Sequence, residues 1–190
     1  MEIKQRFMTT NDYKVISNNL KISKKFLAAG TKHILLAASS VVEDKVILRG
    51  DLGKVITIGS SSVIDTGAVL RPSLNSIKPP FEYKALKIGS NCYIGKNSII
   101  CALEIGKNVY VGKNCILADR VEVGSNVKIL DDTYIPADTK VPDNCVFGGK
   151  PGKYLGEITE SADIIMSLFC DSYYKNLVIT QSAIVTEQSN

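Results

Sequence analysis

The stretch Glu104–Leu117, EIGKNVYVGKNCIL, states one phrase twice: IGKNVY is followed at once by VGKNCI. Counting in sixes from Ile105 meets Val111, Leu117, Val123, Ile129, Ile135, Val141 and Phe147, all apolar. After a one-residue slip the count runs back through Ile100, Ile94 and Ile88. Beyond a longer excursion it resumes at Leu70, Ile64, Ile58, Leu52 and Val46, and then at Ile34, Ala28 and Ile22. No helix has a period of six, because helical faces recur at three and four.

The residues between the rungs give the period its physical meaning. Glycine follows the apolar residue at Gly59, Gly89, Gly95, Gly106, Gly112 and Gly124. Asparagine stands three places after it at Asn91, Asn97, Asn108, Asn114, Asn126 and Asn144. Asparagine tolerates positive φ better than most side chains, so it marks a left-handed corner. A small or modest residue comes next, as at Cys92, Ser98, Val109, Cys115, Val121, Val127 and Cys145. In a strand that residue and the next apolar one share a face. Each phrase is therefore one short strand and one corner. Three phrases close a triangular coil of about eighteen residues, and coils stack about 4.8 Å apart by parallel pairing.

The fold expected is mainly β: a parallel β-helix of about seven coils between Ile22 and Phe147, followed by a C-terminal α-helix. Its left-handedness is that of the known hexapeptide families, since the usual crossover rule gives the opposite hand. The expected organisation is a β-helix over residues 1–156, a helix packing back on it over 157–179 and a disordered tail over 180–190. A loop is expected to leave the β-helix near 71–86, where RPSLNSIKPPFEYKA breaks the count and carries Pro79–Pro80. In the C-terminal segment Ile164, Ile165, Leu168, Phe169 and Leu177 fall on a helical stripe, with Thr159 or Ser161 as caps.

Composition narrows the function. At 190 residues the chain suits one well-buried domain. A net charge of +4, spread without runs, gives no nucleic-acid arm and no polybasic membrane patch. The N-terminus has no continuous apolar core of a signal peptide, and no stretch is apolar enough to span a membrane. Five cysteines without a CxxC pair argue against a disulfide framework or a zinc ribbon. A reduced cytoplasmic setting is the expectation.

The chain has a single histidine, His33. It lies one place before inward Ile34, so strand alternation turns it toward solvent. Cys92, Cys115 and Cys145 fill inward slots, while Cys101 and Cys170 have no histidine near them in sequence. Arg49 and Asp51 should both face outward around inward Gly50, as an ion pair or a partner contact.

Two segments resemble the gamma carbonic anhydrase-like group of hexapeptide proteins: LRGD, Leu48 to Asp51, and GGKPGK, Gly148 to Lys153. That resemblance implies metal histidines in the phrases that here read IGK, ending at Lys96, and IICA, containing Cys101. It implies a third near Leu74. None of these is histidine. Without imidazoles the trihistidine centre of such enzymes cannot form. The acyltransferases of this fold also use a histidine as base, so both enzyme alternatives are disfavoured.

The chain as a whole resembles the dynactin subunit 5 family, one of two hexapeptide-repeat families in the dynactin pointed-end complex. The likeness runs through NDYKVISNNLKIS, VVEDKVILRGDLGKVITIG, the RPS loop, VYVGKNCILADRVEV, KILDDTYIPADTKVPDNCVFGGKPG and DSYYKNLVIT. The resemblance implies a non-catalytic cytoplasmic, cytoskeleton-associated β-helix without a cofactor or metal. It implies pairing with dynactin subunit 6 near the actin-related protein of the pointed end, and a role with cargo adaptors in dynein-driven microtubule transport. No nucleic acid and no direct membrane insertion are implied. The loop SLNSIKPPFEYKA matches the family only loosely.

Overall fold

Each phrase becomes a strand of two or three residues and a corner, and the strands collect into three parallel sheets. The computed structural model describes residues 3–76 and 78–180. Side 1 runs from Leu20–Ser23 through Val41–Val42, Val63–Ile64, Tyr93–Ile94, Tyr110–Val111 and Val127–Ile129 to Cys145–Gly149. Side 2 contains Leu27–Ala29, Ile47–Arg49, Val69–Leu70, Ile99–Ile100, Ile116–Leu117 and Tyr134–Ile135. Side 3 contains Ile34–Leu36, Ile56–Ile58, Leu86–Ile88, Glu104–Ile105, Glu122–Val123 and Lys140–Val141. The chain thus completes six coils and the first side of a seventh, against the about seven expected.

The pairing sets one apolar residue above another on every side: Ile94 on Val111, Ile100 on Leu117, Ile105 on Val123. All of these are buried, and each such side chain contributes about 1.5–3 kcal/mol by leaving water. The six corner asparagines all have φ between 54° and 57°. Asn91, Asn108, Asn126 and Asn144 also stack, the first three side-chain amides each donating to the next side-chain oxygen at 2.9–3.1 Å. Non-asparagine corners follow the same geometry, as at Arg120, Asp132 and Asp138.

The count in sixes fails at two places: on side 3 of the first coil the rung is Leu36, stacked on Ile58, while Ile34 stacks on Ile56 in the small inward slot, and a second slip follows in the next coil. Leu48 and Ile58 are the buried rungs, while Val46 and Ile56 fill small inward slots and Leu52 is half-exposed in a 3-10 turn, Gly50–Leu52. That turn adds residues at the corner, so the ladder re-enters at Ile56 and Ile58.

The ends are closed on side 1 by the chain itself. Tyr13–Ile16 pairs antiparallel with Leu20–Ser23, and Gly152–Glu157 pairs antiparallel with Cys145–Gly149. In the segment where a protruding loop is expected, Ser73–Ser76 pairs antiparallel with Glu82–Lys84. The helix spans Ala162–Asn176, and Leu177–Thr180 forms a strand parallel to Arg6–Thr9. The remainder of the tail, 181–190, lies outside the described residues. Ser161 occupies the N-cap position without a side-chain cap bond.

The helix turns a different stripe inward from the one expected. Ala162, Met166, Cys170 and Tyr173 are buried with Phe169 beside them, whereas Ile164, Ile165 and Leu168 are exposed. The reason lies on side 1, whose outward Tyr93 and Tyr110 stack on each other and meet the rings of Phe169 and Tyr173. Aromatic contacts and a buried polar cluster decide the face; aliphatic content does not.

Candidate interaction surface

Three successive coils put their extra residues out at one corner, between sides 2 and 3. These are the 3-10 turn Thr31–His33, the turn Gly50–Leu52 and the hairpin strands Ser73–Ser76 and Glu82–Lys84. The first two turns touch because their glycines have no side chains: a Cβ on Gly50 would sit 2.5 Å from the Gly30 carbonyl oxygen. With the backbones this close, His33 Nδ1 donates to the Gly50 carbonyl oxygen at 3.0 Å. His33 is therefore half-buried in a turn and anchored, where the sequence places it on a strand facing solvent.

Arg49 and Asp51 flank Gly50 on the outside, as expected. The Arg49 guanidinium donates twice to the Asp51 carboxylate, from Nε at 2.8 Å and from the terminal nitrogen at 2.9 Å. This bond holds the Asp51 carboxyl below its ordinary range. Both are exposed, so the pair is worth little to stability; it presents a rigid, neutral, hydrogen-bonding fork at the surface.

The hairpin is tied down at the same corner two coils below. Arg71 donates to both Asp119 carboxylate oxygens at 2.9 and 3.0 Å, and Asp119 also accepts from the Leu74 amide at 2.7 Å. Arg120 grips the Leu74 carbonyl and both oxygens of Asp138. Cys101 is buried beside Arg71; burial pushes its thiol up to about 11, partly opposed by the guanidinium. Burial pushes the Cys170 thiol up to about 12. Both are neutral thiols at physiological pH, not nucleophiles.

A second polar cluster holds the C-terminal helix and has no counterpart in the sequence expectations. Glu43 and Asp65, each only 2% exposed, follow rungs Val42 and Ile64, the place taken by Gly95 and Gly112 in lower coils. Glu43 accepts from Arg6 at 2.5 Å, from the Tyr13 hydroxyl and from the Tyr173 hydroxyl at 2.9 Å. Asp65 accepts from the Tyr93 hydroxyl at 2.5 Å and from the Thr66 amide at 2.6 Å. Burial first, then the two nearby carboxylates, raise the Tyr173 hydroxyl well above its ordinary pKa. The cluster fastens both terminal segments to side 1. Replacement of the expected glycine by an acid in VVEDK and VIDTG is the signal available in the sequence.

Lys96 lies exposed on a corner, Leu74 on the hairpin, and Cys101 beneath Arg71. Among the described residues, no group of three or more His, Cys, Asp or Glu is placed to hold a metal ion. No helix among them is long and apolar enough to cross a membrane.

Stacked hexapeptide coils with ordered corners and a packed helix define the class: a left-handed parallel β-helix protein of the hexapeptide-repeat type. Solved structures share the architecture. A hexapeptide transferase family protein from Anaplasma phagocytophilum aligns over 82% of this chain and 89% of its own, at 19% identity and a TM-score of 0.64. A point mutant of AntD, an N-acyltransferase from Bacillus cereus, aligns over 81% of this chain and 88% of its own, at 17% identity and a TM-score of 0.65. Identities this low establish the fold alone. The family model described as Dynactin subunit 5 matches residues 1–182. The chain belongs to the dynactin subunit 5 family. Dynactin subunit 5 of Dictyostelium discoideum is 31% identical over 102 residues, 54% of this chain and 51% of that protein. Gamma carbonic anhydrase 2, mitochondrial, of Arabidopsis thaliana is 24% identical over 127 residues, 67% of this chain and 45% of that protein. The chain thus spans about half the length of these curated relatives.

Proposed function

We propose that the chain is a non-catalytic structural and adaptor subunit of the dynactin pointed-end complex, supporting cargo attachment for dynein-driven transport along microtubules. The observation that carries this is the family match over residues 1–182. The side chains support it: the one histidine is committed to a backbone carbonyl, and lysine, cysteine and leucine stand where the related enzymes use imidazole. The β-helix offers surfaces in place of a catalytic pocket. Its partners are dynactin subunit 6, the actin-related protein of the pointed end and cargo adaptors, in a cytoplasmic, cytoskeleton-associated assembly. Arg49 and Asp51, at the corner that gathers the extra residues, serve as partner contacts.

Affinity purification of the tagged chain from its source cell tests the proposal. Recovery of other dynactin subunits and of dynein is expected; a gentle purification that returns neither refutes it. A homotrimer containing about one zinc, iron or cobalt per chain, with CO₂ hydration lost on chelation, would replace it with the enzyme alternative.

A further inference from the structure

Side 1 is covered by the chain's own terminal segments. Its outward residues Val41, Val63, Tyr93 and Tyr110 stand one above another, and the ladder changes character at exposed Lys128. Val41 and Val63 are buried although they point away from the interior of the prism. With Tyr13, Tyr173 and Leu177 they form a second apolar cluster, separate from the core inside the coils. Ile3 and Met8 pack on it from the N-terminal segment, and Ile179 from the C-terminal strand.

The two ends of the chain that build this cover are joined to each other. Arg6–Thr9 and Leu177–Thr180 form a two-stranded parallel sheet of their own, outside the three sheets of the prism. The Thr10 amide donates to the Thr180 carbonyl oxygen at 2.9 Å, and the Thr180 hydroxyl to the Met8 carbonyl oxygen at 3.2 Å. The Asn176 side-chain amide donates to the Ile3 carbonyl oxygen at 3.0 Å. Two strands alone have marginal stability, so each depends on the other and on the cluster beneath them. The fastening to the prism is shared as well. Glu43 Oε1 accepts from Arg6 at 2.5 Å and from the Tyr173 hydroxyl at 2.9 Å, and the Arg6 guanidinium lies 4.9 Å from the Tyr173 ring centroid. Lys21 donates at 2.7 Å to the carbonyl oxygens of both Tyr174 and Leu177. All these bonds gather at the C-terminal end of the helix. Toward its N-terminal end Ile164, Ile165 and Leu168 face solvent, and Ser161 makes no side-chain cap bond.

We infer that the N-terminal strand, the helix and the C-terminal strand are one strap that opens as a unit, with Arg6 as its fastener, so that loosening the N-terminal strand uncovers the outward ladder of side 1. Among the described residues Arg6 is the only cation within ion-pair distance of Glu43. Without it a carboxylate 2% exposed keeps only the tyrosine hydroxyls as partners, an uncompensated buried charge. Once the N-terminal strand leaves, Leu177–Thr180 has no strand to pair with, and the helix end that it anchors is freed. Opening then runs toward Ala162 as one cooperative step. An event on the N-terminal segment, such as its removal or an anion competing for Arg6, is thereby transmitted to a helix remote in sequence. Side 1 becomes a face available only in the open state.

Cys170 reports the opening in the full chain. It lies 1% exposed on the inward side of the helix, while Cys92, Cys115 and Cys145 are buried inside the coils. Arg6→Met keeps an unbranched side chain and removes the charge. Iodoacetamide labelling of Cys170 and hydrogen exchange of the Met166–Phe169 amides should both accelerate at least about tenfold, with the three coil cysteines unchanged. Wild-type rates overturn Arg6 as the fastener. Acceleration confined to Tyr173–Thr180 overturns the single strap, and equal acceleration of the coil cysteines shows that strap and prism open together, which also overturns it. Phe7→Cys with Val178→Cys tests the coupling independently. The two positions are partners on adjacent parallel strands, within the span of a disulfide. Oxidation should slow Cys170 labelling at least about tenfold by confining the open strap, and reduction should restore it. The same Cys170 rate in both forms shows that the helix opens without the N-terminal strand and overturns the inference.

Discussion

Tyr173→Phe isolates the fastening of the C-terminal helix. The change removes one hydroxyl and keeps the ring, with its contacts to Tyr93 at 6.1 Å and to the Arg6 guanidinium at 4.9 Å. What is lost is a 2.9 Å bond to the Glu43 carboxylate, 2% exposed to solvent, together with a long 3.5 Å bond to Asp65. A hydrogen bond to a buried charged group is worth about 1.5–3 kcal/mol. Glu43 keeps Arg6 and Tyr13 as donors, so it is not orphaned and the loss should lie near about 2 kcal/mol. Because the helix packs on one side of a prism whose own coils are joined by their own ladders, the loss should appear as local opening. Hydrogen exchange of amides in Ala162–Asn176 should then accelerate about thirtyfold. The amides of Tyr93 and Gly95, which donate to carbonyls of the next coil, should hold their rates. Unchanged exchange in the helix would show that the bond to Glu43 contributes nothing. Equal acceleration in helix and coils would show that helix and prism open as one unit.

Three other outcomes are expected. Gly95→Ala would put a Cβ 2.5 Å from the carbonyl carbon and oxygen of Gly112 in the next coil; with backbone on both sides, it should cost about 3 kcal/mol and lower the melting temperature by roughly 10 °C in calorimetry. Ile129→Asp buries an unpaired carboxylate in a fully buried rung and should yield insoluble protein on expression, whereas Asn108→Asp, at a left-handed corner with φ 56°, should stay soluble and melt within a few degrees of wild type, because aspartate also visits that region. Burial pushes the thiols of Cys92 and Cys170 up to about 12, so mass spectrometry after iodoacetamide at pH 8 should find both unmodified in the native protein and all five cysteines labelled in urea; rapid native labelling of either would contradict their burial.

The prism is legible in the sequence because its restraint is local. A strand of two residues and a corner at positive φ leave their marks within six residues, and Asn91, Asn108 and Asn126 sit where the period puts them. The small inward slots at Cys92, Cys115 and Cys145 are readable for the same reason, and all three are buried. The Arg49–Asp51 pair is readable from alternation alone. The acidic cluster is not, because its members come from positions 6, 13, 43, 65, 93 and 173 and meet only when the chain is folded. The helix face misleads for a related reason: Ile164, Ile165 and Leu168 outweigh Met166 and Cys170 on any hydrophobicity scale, yet the buried acids and the tyrosines of side 1 select Tyr173. The shift at Leu52 reflects a 3-10 turn whose extra residues no fixed period can anticipate.

The unequal length of the coils has a consequence for how such a chain can change over generations. The lower coils take 17 or 18 residues each, from Ile94 to Val111 to Ile129. The coil from Ile64 to Ile94, which carries the hairpin, takes 30. Yet the rungs on either side of it remain in register, because each strand re-enters the stack through pairing with its neighbour and not through counting from the last. A corner is thus a place where sequence can be added without altering the phase of the core. Lineages built on this prism are free to enlarge, shorten or rewrite a corner while the architecture stays fixed, so contact surfaces should diverge much faster than the fold. That decoupling accounts for a hexapeptide transferase family protein and a chain of the dynactin subunit 5 family sharing coils at 19% identity.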